Sequence, residues 1–283
     1  RFIRDSYACI PERGAHDGCR RISGFARSIT RNWTRPAFAL KADVASFFTS
    51  INHDILLKIL RRHVSEEWLW TLILQVVHHN PRKNACFRST PERFSMVPRH
   101  KSLFYAPQGY GLPIGNLTSQ FFANVYLNEL DQFVKHGLHV KYYGRYVDDI
   151  IMFSEDAGIL NEYYGKIESF LYDQLSLRLH KSKKRIYPAA QGIDFVGFVI
   201  KPGRTYLRNC TVARCKQKIR SWQRKSEGVA IEQGKLKKLG ESVTSYLGML
   251  RRVDGFRARK KLCSNFQNLF IYSDNDFTKL IVP

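Results

Sequence analysis

The chain has 283 residues, enough for one large domain or two ordinary ones around a substantial core. Its 46 Lys and Arg against 24 Asp and Glu give a net charge of +22, and 44% of its residues are hydrophobic. No apolar run approaches the roughly 18–20 residues of a membrane-spanning helix, so composition excludes that class and points to a polyanionic partner, nucleic acid ahead of a membrane surface. The six cysteines (Cys9, Cys19, Cys86, Cys210, Cys215 and Cys263) form no CxxC pair, and Cys210-x4-Cys215 has no second pair nearby. They read as reduced and structural, which implies a cytoplasmic protein. The chain opens at Arg1 with no signal peptide, a start that reads as internal.

Residues 1–36 are basic and rich in turn formers. Ala37 to Asp43 then reads as a short strand ending in an acid. From His53 to His79 the apolar spacing predicts two helices (Ile55, Leu56, Ile59; Trp68, Leu72, Val76), with Ser65 as the cap of the second. Residues 80–112 carry four prolines, at 81, 91, 98 and 107, and read as a basic insertion too long to be a passive connector. A helix is expected from Gly115 to about Lys135. Val140–Tyr146 and Ile150–Phe153 follow as a hairpin with Asp148-Asp149 at its tip. A helix over 158–176, a strand over 179–187 and a hairpin over 192–207 turning at Pro202-Gly203 complete the mixed region. From Thr211 onward the chain reads as helical and basic (Arg214, Lys216, Lys218, Arg220, Arg224, Lys225), which places a domain boundary near 208.

Asp148 and Asp149 are adjacent acids between apolar flanks in a very basic chain. Such a pair repels itself and is poorly solvated unless a cation neutralises it, although an isolated Asp-Asp is also common in solvated turns. Asp43, at a second strand end and just before Phe47-Phe48, makes three acids in apolar surroundings. Three hard-oxygen ligands suit two divalent ions, Mg2+ before zinc or copper, at the separation of about 3.5–4 Å used for in-line phosphoryl transfer. The histidines show no metal-ligand spacing with a partner acid and read as structural.

Tyr146-Val147-Asp148-Asp149 resembles the catalytic tetrapeptide of reverse transcriptases, and Lys41-Ala42-Asp43-Val44-Ala45-Ser46-Phe47-Phe48 resembles their first catalytic strand. In family order, Gly111-Leu112-Pro113-Ile114-Gly115-Asn116-Leu117-Thr118-Ser119-Gln120 is similar to the template- and nucleotide-positioning loop and helix. Leu179-His180-Lys181-Ser182-Lys183-Lys184 is similar to the lysine-bearing strand, and Gly192-Ile193-Asp194-Phe195-Val196-Gly197-Phe198 to the primer-grip hairpin. The segment from Ser6 to His16 resembles the stretch that precedes the first catalytic strand in bacterial members. Ser245-Tyr246-Leu247-Gly248 with Arg257-x-Arg259-Lys260-Lys261 resembles their thumb.

The resemblance implies an α+β right-hand polymerase palm, an antiparallel sheet with helices on one face, joined to a helical thumb, with the fingers largely missing. Residues 1–36 would be a remnant of the fingers and palm entry, 37–208 the palm with its insertion at 80–112, and 209–283 the basic thumb. It implies RNA-directed DNA synthesis with two Mg2+ ions, or Mn2+ in their place. Asp43, Asp148 and the Val44 carbonyl would be ligands, with Asp149 in support. Phe48, five residues beyond Asp43, would lie under the sugar and exclude a 2′-hydroxyl, leaving Phe47 to the core. Ile114, Gly115, Ser119 and Gln120 would border the nucleotide. Lys183 or Lys184 would serve as general acid toward pyrophosphate, or both would belong to a solvated basic strand. Phe195, Gly197 and Phe198 would position the primer end.

Many relatives carry Gln where this chain has Ile114, and Pro where it has Gln120. The form Ile114-Gly115-x-x-x-Ser119-Gln120 resembles the subgroup of diversity-generating retroelements, which copy a template RNA inaccurately at adenines with a small basic accessory protein. The implied partners are template RNA, primer or cDNA, deoxynucleoside triphosphates and that accessory protein, with no membrane. The rivals are a phage-defence or unassigned bacterial reverse transcriptase, and a nucleic-acid-binding fragment that lacks complete catalytic machinery.

Overall fold

The computed structural model describes the chain outside residues 84, 87, 227–232, 265–270, 273–276, 278–279 and 282–283. It divides into two compact units, Arg1–Pro188 and Ala189–Pro283. The first begins with helix α1 (Ala15–Ile29) and strand β1 (Phe38–Asp43), followed by the short α2 (Phe47–Ser50), α3 (His53–Arg61) and α4 (Glu67–His78). Asn52 caps α3 by accepting from the Ile55 N–H at 3.1 Å. Ser65 does not cap α4: the N-cap is Glu66, with no side-chain cap bond, and Glu67 supplies the favourable charge in the first turn.

The insertion is irregular apart from α5 (Pro91–Ser95) and two turns of 3-10 helix, Arg99–Lys101 and Leu103–Tyr105. Thr49 Oγ1 of α2 ties it down by donating to the His100 carbonyl at 2.9 Å, and within it the Arg82 guanidinium donates to the Ala106 carbonyl at 2.8 Å. Then come α6 (Leu117–Gln132), strands β2 (Tyr143–Tyr146) and β3 (Asp149–Ser154), α7 (Ala157–Leu175) and β4 (Arg185–Pro188).

These strands form an antiparallel sheet in the order β2-β3-β1-β4. With β1 central, its alternate residues are buried on both faces. Leu40 and Ala42 join Ile150 and Met152 in one core with Leu56, Leu127 and Leu171 from the helices. On β2 the backbone itself is approached closely. A Cβ at Gly144 would lie 2.9 Å from Ile22 Cδ1 of α1 and 3.1 Å from the Tyr7 ring, so any side chain there would displace both neighbours.

Two expected elements differ. Asp149 is the first residue of β3, paired with Tyr146, and the turn is Val147-Asp148 alone. The predicted strand over 179–187 is strand only from Arg185. Leu179 makes a lone bridge to Val44, and Lys181–Lys183 form a 3-10 turn, because the His180 N–H donates to the Asp43 carbonyl at 2.7 Å and the chain then winds back.

The second unit contains β5 (Ile193–Phe195), β6 (Phe198–Lys201) and β7 (Arg204–Leu207), a separate meander, then α8 (Asn209–Ser226), α9 (Gln233–Arg251) and α10 (Phe256–Ser264). The division therefore falls about twenty residues before 208: the meander hydrogen-bonds within itself and belongs with the helices. Arg214, Lys216, Lys218 and Arg220 are exposed on α8. The side chains of Arg224 and Lys225 lie outside the described residues.

Candidate active site

The β1–β3 register places Asp43 directly opposite Asp149, an arrangement of like charges that is unfavourable without a compensating cation. Lys41 supplies part of that compensation, its Nζ 3.7 Å from Asp149 Oδ1. Lys183 supplies more by pairing with Asp43, which is itself buried at 6% exposure. The Asp148 carboxyl is pushed up to about 6, first by burial, then by the charges of Asp43 and Asp149, with Lys183 acting in the opposite sense. The hydrogen bond to Asp43, against the cost of burial, holds the Lys183 ammonium above the usual lysine range. Among the described residues, no three His, Cys, Asp or Glu side chains converge closely enough to form a metal cluster as they stand. The donor set nevertheless fits a divalent cation. Its oxygens are hard, its charges are mutually repulsive, and an ammonium already sits on one carboxylate.

The 3-10 turn separates the two candidate lysines. Lys184 points away to α7, with Nζ 2.5 Å from Asn161 Oδ1 and 4.0 Å from the Tyr164 ring centroid. Val44 is buried, and its N–H donates to the Asp148 carbonyl at 3.3 Å, joining the end of β1 to the acidic turn.

Phe47 and Phe48 also part company. Phe47 is 3% exposed in the main core, whereas Phe48 is half-buried beside it, with ring centroids 5.4 Å apart. The Phe48 carbonyl accepts from the Leu112 N–H at 2.7 Å, and the Ile51 carbonyl from the Gly111 N–H at 2.8 Å. The glycine-bearing loop is thus stapled to the segment that follows Asp43. Beyond the staple, Ile114 is 74% exposed and Gly115 takes a φ of 110°. Ser119 is buried in the first turns of α6, and Gln120 Oε1 accepts from the Cys9 thiol at 3.1 Å. In the second unit the side chains of Phe195 and Phe198 are buried, and the half-buried Val196-Gly197 turn lies between them.

The sequence reading overlooked a buried ion pair behind the turn. Arg145 of β2 and Asp131 of α6 are both fully buried and bonded in bidentate fashion, at 2.8 and 2.6 Å. Burial opposes the arginine's charge, but Asp131 outweighs it and raises the guanidinium further. The Tyr143 hydroxyl donates to the same carboxylate at 2.7 Å. The available signal was an acid on the apolar stripe of a helix: Asp131 follows Leu127 by four residues and adjoins Leu130.

A family model described as "Reverse transcriptase (RNA-dependent DNA polymerase)" matches residues 2–200. Protein YkfC of Escherichia coli (strain K12) is 23% identical over 232 residues, covering 68% of this chain and 54% of that protein. Among solved structures, an apo telomerase from Candida Tropicalis superposes with a TM-score of 0.53 at 12% identity, over 72% of this chain and 41% of that one. A Candida albicans telomerase bound to a telomeric RNA fragment gives 0.50 at 14% identity, over 94% and 45%. The chain thus spans about half the length of its curated relative. At these identities the telomerase likeness establishes a shared α+β fold.

Proposed function

Because the chain belongs to the reverse transcriptase family, we propose that it extends a primer 3′-hydroxyl with deoxynucleotides on an RNA template at the Asp43–Asp148–Asp149 centre. The observation that carries this reading is the electrostatic coupling of Asp43, buried at the end of β1, with Asp148, half-buried in the turn between β2 and β3, beside a pairing lysine. Asp43, Asp148 and the Val44 carbonyl would hold two divalent ions, Mg2+ or Mn2+, with Asp149 in support. Such ions, when bound, would activate the 3′-hydroxyl and stabilise charge on the phosphate and departing pyrophosphate. Lys183 holds a proton at Nζ and is the general acid toward pyrophosphate; Lys184, engaged with α7, is not. Phe48 lies under the sugar and excludes a 2′-hydroxyl. The Phe195–Phe198 turn positions the primer through its Val196-Gly197 backbone, and the basic helices α8 to α10 follow duplex phosphates without reading sequence. In the complete protein, Asp148→Asn or Asp43→Ala abolishes primer extension while RNA binding persists. Extension at wild-type rate by either variant overturns the assignment.

We further infer an error-prone enzyme of a diversity-generating retroelement, acting in the cytoplasm on a template RNA with a small basic accessory protein. No described helix is long and apolar enough to cross a membrane. The support is Ile114, an exposed apolar side chain beside Gly115, where a glutamine would hydrogen-bond the nascent pair. Shape alone discriminates by about 1–3 kcal/mol, less than a built polar contact does. Ile114→Gln therefore lowers misincorporation, most clearly opposite adenine, when cDNA from a template of all four bases is sequenced. Uniform wild-type errors would instead favour a phage-defence or other bacterial element.

A further inference from the structure

We propose that Arg145, paired with Asp131 inside the first unit, is a positioning residue that fixes the Val147-Asp148 turn in its working geometry. The proposal rests on the assignment of Asp148 above and adds the device that places it. Five hydrogen bonds account for the five N–H donors of the guanidinium. Nε and Nη2 bind the two oxygens of Asp131 at 2.8 and 2.6 Å, and Nη2 also donates to Ser6 Oγ at 3.1 Å. Nη1 donates to Asn124 Oδ1 at 3.4 Å and to the Val147 carbonyl at 2.8 Å.

The last bond is the informative one. Val147 immediately precedes Asp148 and has a φ of 54°, a conformation that β-branched residues rarely adopt unless their surroundings impose it. Arg145 imposes it from below, and the bond from Val44 N–H to the Asp148 carbonyl holds the other side. Arg145 is held in turn from two directions: by α6 through Asp131 and Asn124, whose side chain also donates to the Ala8 carbonyl at 2.6 Å, and by Ser6, which bridges to β2 alongside it. A buried ion pair is a poor device for stability alone, since apolar residues of similar volume commonly replace one without loss. An apolar replacement cannot reproduce the bond to Val147. The unit therefore carries a buried charge whose specific work is to aim an acid.

The test separates aim from stability. In the complete protein, the paired replacement Arg145→Met with Asp131→Leu removes both charges together, and folding is checked by thermal melting. A folded double variant is expected to lose kcat by roughly 100-fold, the scale of a misplacement of about 1 Å, with KM for deoxynucleotide and affinity for primer–template within about twofold. A folded double variant with kcat within about threefold of wild type overturns the proposal. Should the double variant not fold, Arg145→Lys decides, because its single ammonium keeps the charge beside Asp131 but cannot also reach the Val147 carbonyl. A loss of kcat at near-wild-type melting temperature supports the role, and unchanged kcat overturns it. Asp148→Asn is measured alongside. If that variant extends primers normally, the site assignment itself has failed; if it is inactive while the Arg145 variants are active, only the positioning role has failed.

Discussion

Among the described residues three hairpins turn through two residues, and in two of them the first of the two is a valine with positive φ: Val147, at 54°, between β2 and β3, and Val196, at 43°, between β5 and β6. The second turn is eased by its partner, because Gly197 accepts a φ of 88° without cost and its carbonyl receives the Arg208 N–H at 2.9 Å. The first has no glycine. Its second residue is Asp148, half-buried and repelled by Asp43 and Asp149, so its geometry is held by a bond from the buried Arg145. A turn that presents no charge can relax through local chemistry. A turn that must present a charge is fixed by the interior behind it.

The largest effect expected from this contrast lies beside the acidic turn. Phe47→Ala removes a core ring at a cost of about 3–5 kcal/mol, read as a fall in unfolding free energy. Phe48→Ala, at a half-buried position, costs less stability but raises ribonucleotide incorporation relative to deoxynucleotide on one template. An unchanged ratio would return Phe48 to the core and move attention to Phe47.

A smaller effect concerns the charge carried by the first turn. The Asp148 carboxyl is raised in the fold from 3.8 to about 6, so between those values the folded protein binds more protons than the unfolded chain. Its contribution therefore becomes unfavourable as pH rises through that window, is complete above it and is absent below it. In chelator, Asp148→Asn should melt higher than wild type at neutral pH, and the difference should vanish near pH 3.8. Added Mg2+ or Mn2+ should raise the wild-type melting temperature and leave the variant nearly unmoved. A pH-independent difference would remove the repulsion argument.

The smallest effect belongs to the uncharged turn. Val196→Asn creates the Asn-Gly pair that such turns favour and should stabilise the second unit by about 1 kcal/mol by relieving the strained φ. Val147→Asn should give no comparable gain, because its carbonyl is already held and Val147 packs against the core. Equal gains at both positions would erase the difference drawn between the turns.

Much of this was legible along the chain. The strand ending at Asp43, the paired helices before the insertion, α6, α7 and the hairpin bearing Asp148 all follow from short-range periodicity and turn chemistry, which a linear sequence carries. The ordered motifs further identified the family to which residues 2–200 belong. What the tertiary structure alone decided is which neighbour of a pair does what. Lys183 meets Asp43 and Lys184 meets Asn161, and Asp149 pairs in the strand while Asp148 occupies the turn. Adjacent residues share composition and local propensity, so only contacts between distant segments separate them. For the same reason Arg145 gave no local sign of its role. Its partners lie 139, 21 and 14 residues away at Ser6, Asn124 and Asp131, and a buried charge acquires meaning only when folding brings such groups together.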